Sequence, residues 1–428
     1  MRAIKKIFKV ILIMILVLTA VAAAADLWLI YKPELDAKRK IDGIEEAARR
    51  IEDLTVNENA KIIGLGEATH GNADFQALKL DVLKTLIENY GVNCFAMEMD
   101  YGEGVIINDY IRGCSDLTID EVMDHISFRI YKTHEIRNLI EWMKEYNDSH
   151  ENKLAFYGFD FQNPDVDLCL IVEFMKKNSV GDASALEEVF DSFLNGETRF
   201  KDDSLSEGFN QLRSLKEELE SGHEEYQDLL NYDRILGCID SVLHARELTI
   251  RYAGENGSVE GGQYRDQMMA ERVFELSEAG DVSKIMIAGH NGHIGYAGNY
   301  VKSMGSFLRE KLGEAYFSIG TDYFISNSNM PNNNGRRSVH RFVSGDILAY
   351  QAKDLGTYYL FFSEIDEGSP VYRYIHEPIY TGSLGEGYSI LNTVLQDTVR
   401  IYCEPEYLYD AMILVYECAP LNLLESEK

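Results

Sequence analysis

The sequence predicts an α/β fold: a central, mostly parallel sheet flanked by helices, with an inserted helical subdomain and an N-terminal membrane anchor. Three observations carry that expectation. The apolar run Ile62 to Gly66 leads through Glu67-Ala68-Thr69-His70-Gly71 into a stretch with helical periodicity. Two further apolar runs behave alike: Lys284 to Ala288 ends in Gly289-His290-Asn291-Gly292-His293, and Cys94 to Met97 ends in Glu98. From Pro164 to Arg272 the pattern turns almost purely helical and heavily charged. Strand, glycine-flanked turn and helix in that order are the units of a parallel sheet, which gathers its ligand-binding groups at the carboxyl ends of its strands.

The anchor comes first, over residues 1–31. Arg2, Lys5, Lys6 and Lys9 precede an uncharged run of 16 residues, Val10 to Ala25. That run is slightly long for a signal peptide's apolar core and short for a free-standing span. Asp26 interrupts it, and Leu27-Trp28-Leu29-Ile30-Tyr31 then resumes with aromatics suited to a membrane interface. The expectation is a single-pass anchor in the cell membrane, its basic end cytoplasmic and the body outside. Ala22 to Ala25 offers small residues to a peptidase, and a chain cleaved there is secreted.

Over the whole chain the composition is that of a globular protein, with 46% apolar and 26% charged residues. The formal net charge of −30 argues against nucleic acid as a partner, since phosphates demand a basic face. Residues 1–50 hold ten basic and six acidic side chains, leaving 31 against 65, a net of −34, for the rest. Six cysteines are spread without a Cys-x-x-Cys pair, so no zinc ribbon or redox motif is present. Cys94, inside an apolar strand, reads as a core residue.

Residues 32–58 read as a charged stalk and helix, with Ile41, Ile44 and Ala48 on one face. The α/β body follows over 59–163 and 273–428. After the strand at 61–66, Phe75, Leu78, Val82, Leu83 and Leu86 recur at helical spacing, and Asn89-Tyr90-Gly91 ends that helix. The strand at 94–98 completes a βαβ unit, read as a parallel pair. A helix is expected over 134–147, and the run Leu154 to Phe159 is a strand leading into Asp160. The helical subdomain, 164–272, is read as broken by a glycine-rich loop at Gly254 to Gly262. Tyr316 to Gly320 returns to the sheet, Asn327 to Asn334 reads as a polar turn, and Tyr358 to Phe362 and Ala411 to Val415 suit outer strands.

Several of these segments together resemble the erythromycin esterase-like family. The resemblance covers most of the chain beyond the anchor. It rests on Gly66 to Gly71, Met97-Glu98, Glu141 to Asn147, Tyr157 to Asp160, Arg265-Asp266 with Met269-Ala270-Glu271, Gly289 to His293, and Tyr409 to Ile413. It implies an α/β sheet with a helical addition, and hydrolysis of a carboxylic ester or macrolide lactone with no metal or other cofactor required. By position, Glu67, His70, Glu98, His290 and His293 match the family's polar active-site set. Where the family's best-studied esterases carry a functional Arg nine residues after the motif His, this chain has Lys79, which keeps the charge and loses the bidentate fork.

Such a hydrolase needs a water made nucleophilic near neutral pH. An imidazole suits the task, its unperturbed pKa lying near 6.5. His70, close to the start of a helix, is expected to be that base, with Glu67 or Glu98 holding its tautomer. His290 and His293 are read as oxyanion donors or a second proton relay, Lys79 as a source of positive charge, and Arg265 and Asp160 as substrate contacts. No Gly-x-Ser-x-Gly elbow supports a serine nucleophile. Two alternatives stand beside this reading. One is a Zn²⁺- or Mn²⁺-dependent hydrolase at the same residues; the other is a non-catalytic envelope protein that binds a glycan or lipid-linked polymer.

Overall fold

The structure, a computed structural model, describes residues 2–195, 200, 203–227, 229, 232–298, 301–390, 392 and 396–424. In chain order, helix α1 (Arg2–Ala37) precedes β1 (Ile62–Glu67), α2 (Ala73–Tyr90), β2 (Cys94–Asp100), α3 (Tyr101–Ile111), α4 (His134–Ser149) and β3 (Ala155–Asp160). A helical run follows: α5 (Asp165–Asn178), α6 (Ala183–Leu194), α7 (Ser206–Ser221), α8 (Tyr232–Tyr252) and α9 (Gly257–Ser277). Then come β4 (Ile285–His290), α10 (Met304–Leu312), β5 (Tyr316–Pro331), β6 (Arg337–Val343), α11 (Ile347–Leu355), β7 (Tyr358–Phe361), β8 (Ile379–Gly382), β9 (Arg400–Cys403) and β10 (Ala411–Cys418).

Two compact units account for this chain. The larger comprises residues 52–67, 76–320 and 422–428. Its strands lie in the order β3-β2-β4-β1-β5, every neighbouring pair parallel. Ile62 to Leu65 and Cys94 to Met97 are buried on both faces of the sheet, which is why these strands read as continuous apolar runs rather than alternating ones. The pairing of β1 with β2 expected from sequence is not made. β4 lies between them, with Ile285 opposite both Ile62 and Cys94. A strand more than two hundred residues downstream is invisible to local reading, so the βαβ unit is real in its direction and wrong in its adjacency.

One apolar cluster joins a face of this sheet to the helical run. Ala96, Ala155 and Ile287 share it with Leu168, Ile171 and Phe174 of α5, Leu212 and Leu215 of α7, and Ile239 and Val242 of α8. Part of the glycine-rich segment expected as a loop is helix, because α9 starts at Gly257. Thr133 caps α4, its hydroxyl accepting from the Ile136 N–H, and Ile136, Leu139, Ile140 and Met143 form the buried stripe.

The smaller unit comprises residues 1–51, 68–75 and 321–421. From Thr321 on, β5 belongs to it, pairing antiparallel with β6 from Ile325↔Val343 to Pro331↔Arg337. Asn327 to Pro331 is thus strand, not the polar turn expected from composition; the ladder satisfies its backbone, and Asn332 to Gly335 supply the turn. The sheet continues from β5 to β10 and β7, and β8 and β9 form a separate antiparallel pair.

Candidate active site

Four neighbouring strands of the larger unit bring polar side chains to their carboxyl ends: Asp160 on β3, Glu98 on β2, His290 on β4 and Glu67 on β1. The centre of the arrangement is a residue on a helix, Arg265 of α9. Its Nε and Nη2 donate to the two oxygens of Asp160 at 3.1 and 2.6 Å, and Nη2 also donates to Glu98 Oε1 at 2.8 Å. Its Nη1 reaches His293 Nε2 at 3.0 Å. The other ring nitrogen of His293 lies 2.7 Å from Asp266 Oδ1, which also accepts the Met304 N–H at the start of α10.

These contacts fix the imidazole of His293. With Nδ1–H donating to Asp266, Nε2 carries the lone pair that accepts from Arg265, which is the neutral tautomer. Burial opposes the imidazolium, but the Asp266 and Glu98 carboxylates outweigh it and raise the pKa above the ordinary value. Two neighbours act on Nε2 in opposite senses. Arg265 at 3.0 Å disfavours a proton on Nε2, while Glu98 Oε1, 3.4 Å from the same nitrogen, favours one.

Glu98 does a second job. Its Oε2 accepts the backbone N–H of His290 at 2.7 Å, tying the end of β2 to the end of β4. Gly289 makes room for this: a Cβ there would stand 3.0 Å from Glu98 Oε2. His290 turns back on its own loop, its Nδ1 accepting the Gly292 N–H at 3.1 Å, so its neutral ring carries the proton on Nε2. The rings of His290 and His293 are 6.4 Å apart.

A second network sits on β1 and α2. Lys79 Nζ donates to Glu67 Oε2 at 2.5 Å and to Gln76 Oε1 at 2.8 Å, and Gln76 Nε2 closes the ring to Glu67 at 3.0 Å. Lys79 is only 1% exposed, so its face of α2 turns inward. Tyr131 packs beside Lys79 and feels the charges of both networks. Lys79 Nζ lies 5.8 Å from its ring centroid, and burial, followed by the charges of Glu98, Glu67 and Asp160, drives its hydroxyl pKa well above the ordinary value. That hydroxyl is buried with no hydrogen-bond partner among the described residues.

The larger unit therefore assembles Glu98, Asp160, Arg265 and His293 in one network, and Glu67 with Lys79 in another. His70 falls in the segment 68–75 that belongs to the smaller unit, and is half-buried. The backbone around it is pinned there. Ala68 N–H donates to Thr321 Oγ1, Gly71 N–H to Thr69 Oγ1, and Asn72 Nδ2 to the carbonyls of Asn327 and Ala419. Sequence reasoning missed Gln76, Tyr131 and Asp266. Only Asp266 carried a signal, as the neighbour of Arg265 in a family motif; a tyrosine outside any motif gives none.

Among the described residues, no group of three or more His, Cys, Asp or Glu is arranged to hold a metal ion. In the larger unit the place between Glu98, Asp160 and His293 is filled by the Arg265 guanidinium.

A mixed α/β protein with a mostly parallel sheet and a polar network on its strand ends is the class that fold and site define. The chain belongs to the erythromycin esterase family: the family's sequence model, described as Erythromycin esterase, matches residues 87–418. It is 25% identical to erythromycin esterase type II of Escherichia coli over 295 residues, 61% of this chain and 68% of that protein. Among solved structures, a succinoglycan biosynthesis protein superposes with a TM-score of 0.71 at 18% identity, covering 91% of this chain and 98% of the other. EreC, an erythromycin esterase solved as a mutant in its open conformation, gives 0.61 at 17% identity, with 86% and 93% covered. Family membership supports an esterase-type hydrolase.

Proposed function

We propose that the chain cleaves a carboxylic ester or lactone with water activated by His70. The observation that carries the hydrolytic reading is the family match over residues 87–418; the larger unit's network Asp266–His293–Arg265–Glu98 adds a set of fixed, buried charged groups. Buried charge of this kind costs stability unless every partner is in place, and it is kept where chemistry needs fixed groups. The family and the E. coli relative support ester or lactone chemistry. Lys79 in place of the family's arginine turns the reading away from macrolides, because the only forked cation described in this site, Arg265, is already engaged.

In this proposal His70 takes a proton from water as the oxygen attacks the carbonyl carbon. That attack leaves a tetrahedral oxyanion on the former carbonyl. The intermediate collapses by breaking the carbon–oxygen bond, and the leaving alkoxide takes the proton back from His70.

Purified full chain, assayed on a panel of lactones, acyl esters and acylated glycans, tests this. His70→Ala should lower the rate about 10²- to 10⁴-fold, the usual share of a general base. Activity should persist after chelation. Stoichiometric metal, with activity lost on its removal, would instead establish the metal-dependent alternative. A His70→Ala protein that fully retains its biological role would establish the glycan- or polymer-binding one.

A further inference from the structure

Within the smaller unit, the apolar N-terminal helix is no loose tether. α1 runs unbroken from Arg2 to Ala37 and is long and apolar enough to cross a membrane. Its last turns pack on the body: Pro33 and Ala37 are buried. Pro33 lies against Gly345, where a Cβ would stand 2.7 Å from the proline ring. Gly345 also has a φ of +80°, so two constraints keep that position a glycine.

Helix geometry then fixes the depth of this junction. If Lys9 and Lys32 bracket the span, the 22 residues between them cover about 33 Å, close to a hydrocarbon core of about 30 Å. If Asp26 instead marks the edge of the hydrocarbon, Lys32 lies about 9 Å beyond it. Either register puts Pro33 in the headgroup layer or at its outer edge, where the body already begins.

The side chains around that point suit the layer. Lys32 and Pro33 border a cavity of about 260 Å³ together with Arg373, Tyr374, Tyr380 and Tyr402. Tyr380 and Tyr402 face each other across β8 and β9 with ring centroids 4.8 Å apart, and Tyr402 is 62% exposed. Lys32 pairs with Asp36 at 2.5 Å and Arg373 with Glu377 at 2.7 Å, so each cation of this face sits beside its own carboxylate. Partly or wholly exposed tyrosines beside lysine and arginine are the composition of a membrane–water interface, with rings at headgroup level.

We propose that this face, Tyr380 and Tyr402 of β8 and β9 with Arg373 and Lys32, rests in the headgroup layer of the membrane that α1 spans. The smaller unit is thereby held against the bilayer in one orientation, not hung from a flexible stalk. The proposal rests on α1 staying in the membrane and is independent of the hydrolytic reading.

Tryptophan fluorescence of the full chain in phosphatidylcholine vesicles tests it. The chain has two tryptophans, Trp28 and Trp142, so Trp28→Phe leaves a single background signal and Tyr402→Trp adds a reporter on the face. With acyl chains brominated next to the headgroup, the added emission should be blue-shifted and quenched about twofold. Emission like that of a water-exposed indole, without quenching, would overturn the proposal, as would release of the body by cleavage after Ala25. Tyr380→Trp gives an independent reporter should the first variant fold poorly.

Discussion

Two groups of buried carboxylates lie at the same end of the larger unit's sheet and are handled in opposite ways. Glu98, Asp160 and Asp266 surround Arg265 and His293, and each makes a hydrogen bond within that network. Asp100, Glu103 and Asp167, on β2, α3 and α5, make no ion pair among the described residues, although the Arg272 charge acts on Asp167. Asp100 Oδ2, Glu103 Oε2 and both Asp167 oxygens are buried without a well-aligned partner among the described residues. Burial pushes Asp167 up to about 7, and it pushes Glu103 up to about 7 despite the bonds from Ser127. Asp100 is driven well above the carboxylate range by burial and then by the charges of Asp160, Glu103 and Asp167. Where a guanidinium stands at the centre, the fold can hold charge; where none does, a proton takes its place.

The largest expected effect breaks the first group. Arg265→Met leaves Glu98, Asp160 and Asp266 facing one another, and should cost about 3–5 kcal/mol in urea unfolding, the range for orphaning buried charge. A loss near zero would mean that these carboxylates shed their charge as easily as Asp100 does, and the contrast between the groups would fail. Lys79→Met is the milder case. It orphans the single carboxylate of Glu67, which keeps its bond from Gln76, so about 2–3 kcal/mol is expected, below the usual cost of breaking a buried pair.

The same contrast explains what could be read from sequence. Glu67, Glu98, Asp160 and His290 were legible because each closes an apolar run, and strand ends are where a parallel sheet presents its ligands. Arg265 and Asp266 were visible only as part of a family motif. Their helix carries no periodic signal pointing at β2, and a contact across 167 residues of chain is set by tertiary packing. For the same reason β4 could not be foreseen between β1 and β2. The protonated group was wholly illegible. Asp100, Glu103 and Asp167 sit in first turns and strand ends where acidic residues are commonplace, and only burial distinguishes them.

The pH dependence of stability sharpens the contrast most finely. Asp167 has a folded pKa of about 7 against about 4 in an unfolded chain. Between those values the native state holds the proton and the unfolded state has lost it, so stability falls as pH rises. The contribution is fully present below about pH 4 and gone once pH has passed through about 7. Asp167→Asn is neutral at every pH and removes the dependence. Compared by urea unfolding at pH 5 and pH 8.5, the variant should gain on the parent protein by about 1–2 kcal/mol, less than the full three-unit gap because Asp100 and Glu103 share the proton load. Were the difference the same at both pH values, Asp167 would already be charged in the native state. The second group would then be carrying uncompensated charge in its interior, and the rule drawn from Arg265 would not hold a few residues away from it.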